Sequence, residues 1–258
     1  MISKMNEMNF ERFRRDRRNK ITVMDTIIRN NDEFKEGEKD VLLRGFIVLI
    51  YAFWEGNYKK IQDIFFEILK EKKLSELPHK IKNRVIIDLV TTKKERNKKI
   101  VEIEDYNQIT GIHSKITDAL EKNLSSYEEC NKLKQHFREN SNNPSFLILE
   151  NMLSKYNMSL RRIVNELIQE EAISEDFEKR LEFIIGSRNS IAHGAENDLE
   201  NFNDYEEVII SKFISKDEPT IIDVSSFLNE TAFYIDLLYN QIYNEFLNKY
   251  MHEEEKVI

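Results

Sequence analysis

Helix breakers are scarce in this chain. Its 258 residues include six glycines and three prolines. Turn-rich β architectures need such residues at their corners, so the shortage favours long helices. Thiols are scarcer still. The single cysteine, Cys130, cannot form an intramolecular disulfide and excludes a cysteine-based metal site, which suits a reducing compartment. No window approaches the roughly 18–20 continuous apolar residues of a membrane span. The longest apolar cluster, "VLLRGFIVLIYAFW" (41–54), contains Arg44 and reads as a buried core helix. The first twenty residues have no apolar h-region, so no secretory signal is read there and the expectation is a cytoplasmic protein with no membrane partner. Phosphate-cradling glycine loops, His pairs at i, i+4 with a glutamate, and nucleophile elbows are also missing. The histidines, His79, His113, His136, His193 and His252, are scattered, so no metal and no cofactor are expected.

What is present is helical patterning. Hydrophobic residues make up 40% and charged residues 33%, enough for a sizeable core. The spacing predicts a helix over about 7–30, then a second over about 38–73 after the break near Gly37. The first half of that second helix is apolar nearly all round. Its second half narrows to the stripe Ile61, Ile64, Phe65, Ile68 and Leu69. A shorter helix carries Val85, Ile86, Leu89 and Val90. "VEIEDYNQITGIHSK" alternates and suggests an extended piece. In "SNNPSFLILENMLSKYNMS", Asn143 is placed to cap and Pro144 to open a helix with Phe146, Leu149, Met152 and Leu153 inward. "SEDFEKRLEFIIGSRNSIAHG" reads as a helix ended by Gly194. Around "SKDEP" the β-branched residues suggest a small two-stranded hairpin near 207–222. The last helix should run from Asp223 or Ser225 to about Tyr250, with Phe227, Leu228, Ile235, Leu238, Ile242 and Phe246 buried. The fold class is therefore all-α: a helical bundle forming one domain over 1–258, with its core at about 8–75 and 140–250 and an insertion or lid at about 76–139.

Two features carry candidate chemistry. The net charge of −8 argues against indiscriminate nucleic-acid coating, yet "RFRRDRRNK" (12–20) holds six cations and one acid. It is either a solvated helix face or a surface whose Arg14, Arg15, Arg17 and Arg18 contact RNA phosphates without reading sequence. The second feature is "GSRNSIAHGAE" (186–196), where Arg188 stands five residues before His193. Imidazole titrates near neutrality and can move a proton. Guanidinium stays charged and matches phosphate oxygens. The pair suits metal-free phosphoryl transfer on RNA, with the histidine at the 2′-hydroxyl or the leaving 5′-oxygen and the arginine on the phosphate. Spacing alone is weak: 14 arginines and five histidines give roughly 0.8 matches by chance. Five residues of regular helix also leave the two side chains about 140° and about 7.5 Å apart. Either the helix distorts near Gly194, or two copies meet and each supplies half of a cleft.

The longer pattern is more specific. "RNSIAHG" (188–194) resembles the R-N-x-I-A-H-G form of the R-x(4–6)-H motif of the HEPN superfamily, small helical bundles of which many are RNases. "LLRGFIVLIYAFWEGNYKK" (42–60) is similar to the apolar second helix of the prokaryotic MAE-type HEPN-like nucleases, with its W-E-G run at Trp54–Gly56. The resemblance implies a homodimeric, metal-independent endoribonuclease of a toxin–antitoxin, abortive-infection or other antiviral defence system, with RNA as substrate and an antitoxin or sensor protein encoded nearby. It implies Arg188 and His193 as the catalytic pair. Asn189 would orient either group, and Glu55 would support Arg188 from the apolar helix. Some HEPN toxins carry a tyrosine two residues after the histidine; Ala195 stands there in this chain. The alternative reading is a catalytically inactive HEPN-like adaptor that binds RNA or a partner protein.

Overall fold

The computed structural model describes residues 2–30, 35–90, 106–128, 130–139, 141, 143–193, 205–216 and 218–251. Among them are ten α-helices: α1 (Ile2–Arg29), α2 (Glu36–Leu69), α3 (His79–Val90), α4 (Tyr106–Leu120), α5 (Cys130–Leu133), α6 (Phe146–Lys155), α7 (Leu160–Gln169), α8 (Phe177–His193), α9 (Tyr205–Phe213) and α10 (Ile221–Tyr250). Short 3₁₀ turns sit at Leu74–Glu76, Leu124–Ser126 and Lys134–His136. No strand is present among the described residues; an isolated antiparallel bridge joins Lys73 to Asn123. The all-α expectation is met.

Helices α1, α2 and α10 pack on one another, α8 lies against α2, α7 against α10, and α9 touches both α2 and α10. The centre is α2, as its all-round apolar first half requires. Trp54, Phe46, Ile47, Ile50, Ile61 and Phe65 are fully buried. Each large apolar side chain so buried is worth about 1.5–3 kcal/mol. The α10 stripe expected from the sequence, Phe227 to Phe246, is buried throughout. Phe65 of α2 and Phe246 of α10 stack with centroids 3.6 Å apart.

Three local expectations are corrected. The hairpin near 207–222 is replaced by α9 and the start of α10. β-Branched residues are compatible with either state, and here tertiary burial decides: Tyr205 and Ile209 on α9, and Val224 and Leu228 on α10, are buried at i, i+4 spacing. The N-terminus of α10 is set by Asp223, whose carboxylate accepts from the Thr220 N–H at 2.8 Å and hydroxyl at 2.7 Å. The stretch read as extended is helix α4 from Tyr106 onward; residues 101–105 lie outside the described residues. Finally, α6 is capped two residues later than expected. The Ser145 hydroxyl accepts from the Ile148 N–H at 3.3 Å, which frees Asn143 and Pro144 for α2.

The middle residues attach to the bundle by polar contacts. Leu74 N–H donates to the Lys122 carbonyl and Ser125 N–H to the Lys70 carbonyl, at 3.0 and 2.9 Å. His136 meets Asp88 of α3 at 2.6 Å, and Lys134 and Arg138 both pair with Asp63 of α2.

Candidate functional site on helices α2 and α8

Helix α8 carries two arginines eight residues apart, and their surroundings differ. Arg180 is 8% exposed and doubly neutralised: it pairs with Asp176 at 2.7 Å and with Glu230 of α10 at 2.6 Å. Its guanidinium also lies 4.7 Å from the Phe227 ring centre. This fastens the start of α8 to α10 and sets the rotation of the whole helix. Arg188, two turns on, is half-buried and has no carboxylate partner among the described residues. Its guanidinium lies 4.5 Å from the centre of the Tyr51 ring of α2. Its Nη1 donates to the Asn189 Oδ1 at 3.2 Å.

Tyr51 is the plate under that arginine. It is 2% exposed, and its hydroxyl donates to the Asn143 Oδ1 at 2.9 Å. Burial raises the pKa of the phenol, and the charge of Glu55 pushes it the same way, while the charge of Arg188 opposes both. The hydroxyl therefore stays protonated and keeps donating. Next to it, Trp54 Nε1 donates to the Pro144 carbonyl at 2.7 Å. The loop before α6 is thus tied to α2 at successive positions, and the tied residues flank the Arg188 contact.

Glu55 lies one turn beyond Tyr51. Its carboxylate pairs with Lys59 on its own helix, and no ion pair to Arg188 is found among the described residues. Gly56 of the W-E-G run has a packing reason. A Cβ there would meet Arg17 Nη1 at 2.5 Å and Cζ at 2.7 Å. Arg17 reaches across this gap and donates to the Ala52 carbonyl at 2.6 Å, with its guanidinium 4.6 Å from the Phe13 ring centre. Glycine gives up helix propensity here so that α1 can approach.

The basic run is divided by the fold. Arg14 pairs with Asp236 and donates to Asn240, both at 2.7 Å. Arg18 lies 5.5 Å from the Phe233 ring centre, and burial lowers its pKa. Arg14, Arg17 and Arg18 therefore line the contacts of α1 with α10 and α2. Arg12, Arg15 and Lys20 are exposed.

His193 is the last residue of α8. Its side chain, Gly194, Ala195 and Glu196 lie outside the described residues. The backbone stays α-helical from Arg188 to His193. The geometry thus joins Arg188, Asn189, Tyr51 and Asn143, with Glu55 one turn away. Tyr51 and Asn143 were read from sequence as core and cap. The available signal was that Tyr51 precedes Glu55 by four residues and so shares its helix face.

An all-helical bundle with an R-N-x-I-A-H-G helix packed on an apolar W-E-G helix has the form of a HEPN-type domain. The chain matches the RiboL-PSP-HEPN family over residues 12–244 and belongs to that family. The HEPN resemblance is borne out at this level; the finer MAE-type likeness is not part of that match. Membership points to an RNase-like or RNA-binding function. No curated protein and no solved structure matches the chain. Among the described residues no helix is long and apolar enough to cross a membrane, and no three His, Cys, Asp or Glu side chains are grouped as metal ligands.

Proposed function

We propose that this protein is a metal-independent endoribonuclease of a prokaryotic defence or toxin–antitoxin system, working in the cytoplasm. The observation that carries the reading is the state of Arg188. Its guanidinium is held in place by Tyr51 and Asn189 but left without a carboxylate among the described residues, unlike Arg180 on the same helix. A fixed, un-neutralised guanidinium is what a phosphate oxygen requires.

In the proposed reaction the RNA 2′-oxygen attacks its neighbouring phosphorus. The new 2′-oxygen–phosphorus bond forms as the bond to the 5′-oxygen breaks. The 2′-hydroxyl proton leaves to a base and a proton is delivered to the 5′-oxygen, giving a 2′,3′-cyclic phosphate and a 5′-hydroxyl. His193 carries one of these proton transfers and Arg188 stabilises the phosphate charge. In the unbroken helix the two backbone positions stand about 140° apart around the axis. That favours a homodimer in which each copy supplies half of a cleft. Val41 and Val48, 68% and 38% exposed on the outer line of α2, suit such a contact. Arg15, with its head in solvent, is the member of the basic run best placed to meet a phosphate. Asn189 orients Arg188. Glu55 acts through Tyr51 rather than by direct pairing.

The test is incubation of purified protein with total RNA, with and without EDTA, followed by end-group analysis. Cleavage should persist in EDTA, leave cyclic phosphate ends, and vanish in Arg188→Ala and His193→Ala while sedimentation still shows a dimer. RNA binding without cleavage by the wild type would replace this reading with the adaptor one.

A further inference from the structure

Two turns along α2 from Tyr51 a cavity of about 370 Å³ opens, lined by Tyr58, Lys59, Gln62, Asp63, Arg138, Glu139 and Ser141. This lies in the size range of small-ligand sites. Tyr51, Glu55, Tyr58 and Gln62 fall at i, i+4, i+7 and i+11, so they share one face of α2. The cavity therefore lies further along the face of α2 whose Tyr51 meets Arg188. Two contacts connect the two places. Lys59 pairs with Glu55, and the Asn143 N–H donates to the Ser141 hydroxyl at 3.2 Å. The rise from Tyr51 to Tyr58 is about 10 Å, within reach of a neighbouring nucleotide of the same strand.

The walls of the cavity are fixed. The Tyr58 hydroxyl donates to the Glu139 carbonyl at 2.7 Å, and the Gln62 Oε1 accepts from the Glu139 N–H at 2.7 Å. Lys155, 8% exposed, pairs with Glu139 at 2.6 Å. Facing the cavity is a planar guanidinium beside a carboxylate, Arg138 paired with Asp63, which Lys134 also meets; both side chains stay partly exposed, with the Lys59 ammonium at 59% exposure and the Ser141 hydroxyl beside them. Adjacent donor and acceptor groups of this kind match the edge of a nucleobase, where guanidinium donates and carboxylate accepts. Such edges are free in unpaired RNA. Among the lining residues Lys59 and Arg138 balance Asp63 and Glu139, so the cavity itself is not acidic in a chain of net charge −8.

We infer that this cavity is a nucleotide subsite: it takes one unpaired RNA base next to the phosphate held by Arg188, reading its edge with Arg138 and Asp63 while Lys59 meets the backbone. This rests on the RNA reading of the Arg188 site.

The test is an abasic scan with the wild-type full chain. The probe is a short single-stranded 2′-fluoro RNA, which lacks the attacking hydroxyl, so that binding is read without cleavage. One abasic position should weaken binding by about tenfold or more, a loss typical of a single well-held base. Ser141→Trp, which fills the cavity, should erase that penalty. Lys59→Gln, at an exposed position, should reduce binding at every scan position and serves if the tryptophan variant misfolds. A flat scan in a wild type that binds RNA overturns the subsite, and so does a penalty that a folded Ser141→Trp leaves untouched or, where that variant misfolds, RNA binding that Lys59→Gln does not weaken. Either result leaves the cleavage assay of Arg188→Ala and His193→Ala standing on its own. Failure of the wild type to bind RNA at all overturns both readings.

Discussion

The guanidinium of Arg188 rests 4.5 Å from the centre of the Tyr51 ring, and that ring is pinned at its far end by a 2.9 Å hydrogen bond to Asn143. Three segments distant in sequence thus fix one cation. A cation on an aromatic face is stabilised by about 0.5–2 kcal/mol, more as water is excluded.

Tyr51→Phe keeps the face and loses only the hydroxyl. It should retain most of the cleavage rate. Tyr51→Leu removes the face and should lower kcat by more than tenfold with a smaller change in KM. If both variants lose activity in proportion to their lost melting temperature, Tyr51 is only a core residue.

Gly56 and Arg17 should behave as a coupled pair. In the wild type, Gly56→Ala displaces the Arg17 guanidinium from the Ala52 carbonyl. That loses a charged hydrogen bond worth about 1.5–3 kcal/mol and gains about 1 kcal/mol of helix propensity. A net destabilisation of about 1 kcal/mol follows. In an Arg17→Ala background the same substitution should stabilise. Denaturant unfolding of the four proteins measures the coupling, and additive effects would refute it.

The basic run should split by function. Arg14→Ala breaks contacts to Asp236 and Asn240 in a half-buried place and should lower the melting temperature. Arg15→Glu, in solvent, should leave melting unchanged and weaken RNA binding evenly across sequences, with a shallower salt dependence. Unaltered RNA affinity in Arg15→Glu would remove it from the interface.

Asp223 gives a pH signature. The Lys216 ammonium, then the Thr220 hydroxyl and N–H, hold its carboxyl down at about 2. A depressed folded pKa means the contribution is complete above the unfolded value of about 3.9 and fades as pH falls toward 2. Asp223→Asn should therefore lower the melting temperature at pH 7, and the gap to wild type should close between about pH 4 and pH 2. A gap undiminished at pH 2 would show that the carboxylate charge is not responsible.

Much of this was legible in the chain. The stripes Ile61 to Leu69 and Phe227 to Phe246 specify helices because 3.6-residue spacing leaves them no other way to be buried together. The R-N-x-I-A-H-G and W-E-G segments marked the two helices that meet at the candidate site. Local signals misled where either state satisfied local physics, as in residues 207–222, whose β-branched side chains fit α9 and α10 once the core received them.

Tertiary structure decided which arginines have carboxylate partners among the described residues. Arg14, Arg15, Arg17 and Arg18 form one run in sequence, and Arg180 and Arg188 stand on one helix. Only packing puts Asp236 beside Arg14, Glu230 beside Arg180, a carbonyl beside Arg17, and a tyrosine ring beneath Arg188. A guanidinium has the same charge everywhere along a chain. Its use depends mostly on partners brought from elsewhere in the fold; Asp176, four residues before Arg180, is one that local spacing does encode.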